Sequence, residues 1–270
     1  MLGAGLRKDF ELTSEQSNPE RAQLMRAEGQ RIVSEGTKRG LHLRVLGAIA
    51  FQFQCPKYSF LATRLNRVLT DVDFAGYYDE FEGIVKMMRE LGYADEPMVT
   101  ALWGEKRTIW DHKNNGVHVD IFFNGLEMNH DVPFKGRLDL DPLTISLADM
   151  LLEKMQIVHI NEKDIIDSIM LLREHEVGGA EPETIDATYI AKLVSGDWGF
   201  YYTLTTNLKK VRDSLSKYED LTKEDREIIS ARIEKLLKII EEKPKSMGWK
   251  MRAKVGTKSK WYRDVEEVER

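Results

Sequence analysis

Three acidic residues carry the first chemistry in this chain: Asp71 and Asp73 in Thr70-Asp-Val-Asp-Phe74, and Asp120 in Val117-His-Val-Asp-Ile-Phe122. In a strand, residues i and i+2 share a face, so the two carboxylates of the first run point the same way. A third carboxylate from a neighbouring strand completes a hard oxygen cage. Such a cage suits Mg²⁺, with Mn²⁺ as a substitute, and two ions roughly 3.5–4 Å apart would clamp both sides of a phosphoryl displacement. The pattern predicts metal-dependent phosphoryl or nucleotidyl transfer.

Several elements must position these groups. Leu43 to Leu46 is a strand candidate, Gly47 a turn, and Ala48 to Phe53 a helix that Pro56 stops. Asp71 to Ala75 is the next strand. Tyr78 to Leu91 has apolar residues at helical spacing, with Gly92 beyond its end. Val99 to Trp103 and Thr108 to Trp110 are expected to pair as strands around Gly104-Glu-Lys-Arg107, and Asn114-Asn-Gly116 turns the chain into the Asp120 strand. Helical periodicity then dominates: Leu147 to Ile157, Glu162 to His175, Tyr189 to Val194, Phe200 to Leu215 and Lys223 to Glu241.

These elements predict an α/β (α+β) class, a small mixed sheet flanked by helices and followed by an all-helical C-terminal unit. Asn18-Pro19 and Gly40 bracket a helical arm over residues 1–40, the sheet unit covers 41–178, and the Gly178-Gly179 break opens the C-terminal unit over 179–270. With 270 residues, 42% of them hydrophobic, the chain can bury one good core and a smaller second one. No apolar run is long enough to span a membrane and no secretory pattern opens the chain, so a cytoplasmic location is expected. The single Cys55 excludes an internal disulfide and a cysteine-based zinc site, and the six histidines do not cluster. A formal charge of −5 argues against a globally basic nucleic-acid binder while leaving room for a local basic patch.

Such a patch exists. From Lys243 to Arg263 there are eight basic residues and no acidic one, interleaved with Trp249, Trp261 and Tyr262. Basic groups can track a phosphate backbone while aromatic faces stack on bases, so RNA is one candidate partner. Alternatively, the tryptophans pack on the protein and the charge balances an acidic surface.

Taken together, Leu46-Gly-Ala-Ile-Ala50, Thr70-Asp-Val-Asp73 and Val119-Asp-Ile-Phe122 resemble the nucleotidyltransferase superfamily with the polymerase-β-like fold, over roughly residues 41–175. That family places a Gly-Gly or Gly-Ser turn before a helix, an Asp-x-Asp strand, and a single Asp on a later strand. The resemblance implies that Asp71, Asp73 and Asp120 hold metal, that Gly47 and Ala48 cradle phosphate, and that an NTP donates its NMP to a hydroxyl acceptor. Ala48 departs from the pattern, since it has no hydroxyl to offer a phosphate.

Further along, Leu151-Leu-Glu-Lys154, Asn161-Glu-Lys-Asp164 and Asp167 resemble the same region of abortive-infection toxin-type members, and the chain is also similar to uncharacterised bacterial nucleotidyltransferase-like proteins. This implies nucleotide contacts from Lys154, Asp164 and Asp167. Arg64 and Arg67, just before the Asp strand, are within loop reach of a phosphate, and His118 shares a strand face with Asp120. Two other classes stay open: a catalytically degenerate nucleotide- or RNA-binding regulatory protein, and a metal-dependent phosphohydrolase.

Overall fold

The computed structural model describes residues 19–64, 69, 71–179 and 181–265. It is a mixed α/β fold around a five-stranded sheet ordered β1-β2-β5-β4-β3, where β1 is Leu43–Leu46, β2 Asp71–Gly76, β3 Tyr93–Asp95, β4 Arg107–His112 and β5 His118–Phe123. Within this sheet β2 runs parallel to β5, and the other pairings are antiparallel. The register places Asp73 opposite Asp120 and Asp71 opposite His118. All three aspartates therefore stand on one face of the sheet.

The other face is apolar. Val45, Val72, Phe74, Val119 and Ile121 are fully buried there. Helix α1 (Pro19–Lys38) lies across it: a Cβ on Gly29 would meet Val45 at 3.5 Å and Val72 at 3.6 Å. Met25, Ile32 and Val33 of α1 belong to the same core, so this helix packs directly on the strands that carry the aspartates. Helix α2 (Gly47–Gln54) leaves β1 without an intervening loop. Further on come α3 (Phe60–Arg64), α4 (Phe81–Glu90) and α5 (Pro97–Trp103).

The expected strand at Val99 to Trp103 is the helix α5, and β4 pairs instead with β3. Valine, threonine and tryptophan favour a strand, but Pro97 at the first helical position and Gly104 beyond the last bracket a short helix. The residues Gly104 to Lys106 still turn the chain into β4, and Arg107 is the first strand residue rather than part of the turn. A two-stranded hairpin, β6 (Gly125–Glu127) with β7 (Asp131–Pro133), follows β5.

Helix α6 (Leu147–Met155) is buried along its whole length and is started by Ser146, whose hydroxyl accepts from the Asp149 N–H. Helix α7 (Glu162–Glu174) is started by Asn161. A short parallel pair, β8 (Val177–Gly178) and β9 (Ile185–Asp186), leads to helices α8 (Ala187–Val194), α9 (Trp198–Ser214), α10 (Lys223–Glu242) and α11 (Met247–Val255). Helices α8 and α9 pack on α6, and α10 packs on α7, so the C-terminal helices clamp the two helices that roof the aspartate face. Among the described residues no helix is long and apolar enough to cross a membrane.

Candidate metal centre and phosphate turn

One carboxylate oxygen from each of Asp71, Asp73 and Asp120 lies within 4.8 Å of the others. Asp71 and Asp73 are half-buried and Asp120 is buried. An all-carboxylate set at this spacing fits a hard divalent cation such as Mg²⁺ or Mn²⁺. The electrostatics agree. Burial, then the charges of Asp71, Asp120 and Glu153, push the Asp73 carboxyl well above its ordinary range, against a smaller opposing pull from Lys154. A group that resists ionisation because of like-charged neighbours gains most from a cation placed among them.

Gly47 makes this arrangement possible. Its φ is +66°, a left-handed conformation that glycine adopts without penalty. A Cβ there would sit 2.4 Å from Asp73 Oδ2, so the absence of a side chain lets the carboxylate approach the start of α2. The Gly47 N–H is the first donor of that helix, and it is already engaged: it donates to Glu153 Oε2 at 3.1 Å. Ala48, the next residue, is partly buried against the core.

Lys154 is buried and surrounded by acids. Its Nζ lies 2.9 Å from Glu153 Oε1, 3.3 Å from Asp167 Oδ2 and 3.6 Å from Asp164 Oδ1, and 5.2 Å from the centre of the Phe51 ring. Asp164 Oδ2 is buried with no hydrogen-bond partner among the described residues. On the opposite side, Arg107 donates to Asp120 Oδ2 at 2.5 Å and stacks on Phe122. The fold thus brings Gly47, Lys154, Asp164 and Asp167 into one charged cluster beside the three aspartates. In that cluster six carboxylates (Asp71, Asp73, Asp120, Glu153, Asp164 and Asp167) face two described cations, Arg107 and Lys154.

Some expected contributors lie elsewhere. Arg67 is outside the described residues, as is the side chain of Arg64. His118 faces the same side as Asp120 but is paired with Asp111. The tail over 243–263 folds back on α9: Trp249 meets Tyr201 edge-on, Arg252 covers Trp198, Trp261 donates its Nε1–H to Thr203 Oγ1, and Arg263 pairs with Asp131. Its aromatic rings are used in packing, and Lys250, Lys254, Lys258 and Lys260 remain exposed.

Two residues of the cluster, Glu153 and Arg107, did not stand out by sequence. The signal for Glu153 was faint: it is four residues from Asp149 on one face of the helix, beside Lys154. Arg107 had a weaker one, strand alternation with Ile109, which faces Asp120 in the register.

No family model matches the chain, and no curated protein matches it. Among solved structures, the chain is similar to an antigenic nucleotidyltransferase-like protein from Paracoccidioides brasiliensis, with 13% sequence identity and a TM-score of 0.39 over 87% of this chain and 96% of that one. A likeness that distant carries no functional argument, and the chemistry rests on the chain's own residues.

Proposed function

We propose that this protein is a Mg²⁺-dependent nucleotidyltransferase that moves an NMP from an NTP to a hydroxyl acceptor. The observation that carries this reading is the convergence of the Asp71, Asp73 and Asp120 oxygens within 4.8 Å of one another, directly against the Gly47 turn. Asp71, Asp73 and Asp120 would hold the metal, which when bound neutralises phosphate charge and acts as a Lewis acid on the reacting phosphoryl group.

The chain's own residues supply the rest. Gly47 and Ala48 offer backbone at the start of α2, where the helix dipole favours phosphate and the Gly47 N–H, now held by Glu153, would be a donor to it. Arg107 donates to Asp120 Oδ2 and holds that carboxylate in position, and Asp120 would receive the acceptor's proton. In the reaction the acceptor O–H bond breaks, a new bond forms between that oxygen and the α-phosphorus, the α–β bridging bond breaks, and pyrophosphate leaves. Lys154 would neutralise triphosphate charge, with Asp164 or Asp167, both beside its Nζ, orienting it, as the resemblance to abortive-infection toxin-type members implies. RNA, a protein or a small molecule each presents a suitable hydroxyl. The exposed lysines of the 243–263 tail support RNA, with the cytoplasm as the setting.

A second reading, a catalytically degenerate nucleotide- or RNA-binding regulatory protein, is favoured by Ala48 and by the engagement of the Gly47 N–H with Glu153. Melting temperatures with ATP or CTP, with and without Mg²⁺, separate the two, because a ligand bound only by the folded state raises the transition. The enzyme reading expects a rise that needs Mg²⁺, together with transfer of label from an α-labelled NTP into an acceptor fraction. A Mg²⁺-independent response without transfer would favour the regulatory protein.

A further inference from the structure

The contact between Glu153 and Gly47 joins two features that a phosphate-binding turn would keep apart. The Gly47 N–H is the donor a phosphate oxygen would take at the start of α2, and in this protein a carboxylate of α6 takes it. The same carboxylate holds the buried Lys154 Nζ at 2.9 Å through its other oxygen. Glu153 thus spans a backbone N–H and an ammonium, the two kinds of donor that grip a phosphate. It is buried and set in a helix whose residues are all buried, so the contact is built in. One N–H cannot serve two anions at once. Ala48 offers no hydroxyl as an alternative donor, which makes that N–H the more valuable to an incoming phosphate.

We propose that Glu153 is a specificity-determining gate: its carboxylate stands in for phosphate in the free protein and is displaced only by a nucleotide polyphosphate that brings divalent cation with it. This rests on the nucleotidyltransferase reading of the site. Free phosphate or a nucleoside monophosphate meets Glu153 together with Asp71, Asp73 and Asp120 and is repelled by like charge. A metal-bound triphosphate brings positive charge to the aspartates and enough anionic oxygens to take over Gly47 N–H and Lys154. Asp164 and Asp167, at 3.6 and 3.3 Å from Lys154 Nζ, keep the ammonium in place while Glu153 leaves.

Glu153→Gln keeps the shape of the side chain and removes the charge, and Glu153→Asp keeps the charge but withdraws it from Gly47. Calorimetric titration with the α,β-methylene analogue of ATP plus Mg²⁺, with AMP and with inorganic phosphate, should show that the wild type binds the triphosphate analogue and neither of the others. Glu153→Gln should bind the analogue about tenfold more tightly, the scale expected when one charged hydrogen bond stops competing, and should acquire measurable binding of AMP or phosphate. Glu153→Asp should fall between the two. Equal or weaker binding of the analogue by Glu153→Gln would overturn the gate.

Mn²⁺ binding followed by electron paramagnetic resonance, in the wild type and in Asp73→Asn, separates the two ideas. Mn²⁺ binding that depends on Asp73, together with nucleotide and phosphate binding unchanged in Glu153→Gln, would sink the gate alone. Absence of both Mn²⁺ and nucleotide binding in the wild type would sink the underlying reading and the gate with it.

Discussion

Replacing Gly47 with alanine tests how closely the fold fits the carboxylates. The added Cβ would lie 2.4 Å from Asp73 Oδ2 and 3.3 Å from its Cγ, about 1 Å inside an ordinary contact for the oxygen. At φ +66° the alanine also pays backbone strain of about 1–2 kcal/mol. In a chain of this size that strain lowers the melting temperature by roughly 2–4 °C. The more telling effect is on the metal. Asp73 must turn away, and a carboxylate moved by about 1 Å no longer meets the same ion as Asp71 and Asp120, so Mn²⁺ affinity should drop about tenfold or more.

Gly40→Ala is the matched control. Gly40 has φ +71°, yet a Cβ there meets nothing within 4 Å. It should lose similar stability and bind Mn²⁺ like the wild type. Mn²⁺ titration by electron paramagnetic resonance, alongside thermal melts, reads both quantities. Wild-type Mn²⁺ affinity in Gly47→Ala, or an equal loss in Gly40→Ala, would refute the reasoning.

Three further outcomes are expected. Arg107→Met should lower the stability of the metal-free protein by about 2 kcal/mol, since it leaves the buried Asp120 without its guanidinium. It should also enlarge the rise in melting temperature on adding Mn²⁺, because a competing cation is gone; an unchanged rise counts against the pairing.

His130 is stacked on Phe200, and burial holds its pKa down at about 4. The unfolded chain therefore takes up the proton first. Stability should fall as pH drops from about 6.5 to about 4, by at most about 3 kcal/mol, and His130→Gln should flatten that slope in urea titrations.

Burial tends to raise the pKa of Asp225, but hydrogen bonds from Tyr58, Arg173 and Thr222 outweigh it and hold the carboxyl well below the usual range. Its contribution is fully present above the unfolded value near 4 and is lost as pH falls through the lower folded value. Asp225→Ala should cost about 3 kcal/mol at neutral pH by chemical denaturation.

Much of the architecture could be read from local pattern. The strand, glycine and helix at Leu43 to Gln54 are contiguous, so no long-range information was needed, and the Asp71 and Asp120 strands are marked by apolar alternation around single charges. The Asn114-Asn-Gly116 turn correctly joined β4 to β5. What stayed hidden depends on partners distant in sequence. The strand β3 has three residues and exists because β4 pairs with it. Val99 to Trp103 has strand-like side chains and becomes a helix because its ends are capped for one. Glu153 reads as one more polar residue on an amphipathic helix until the fold shows that α6 is buried all round and that its carboxylate meets a backbone N–H 106 residues away. The tail left two readings open, rings free for bases or rings packed on the protein, and its tryptophans pack against α9.

Transfer of label from α-labelled NTPs into RNA, protein or small-molecule fractions, compared between wild type and the Asp71→Ala/Asp73→Ala double variant in the presence of Mg²⁺, tests the central claim most directly. The account predicts labelling by the wild type that the double variant abolishes while remaining folded by circular dichroism. Labelling of undiminished yield by the double variant would contradict it.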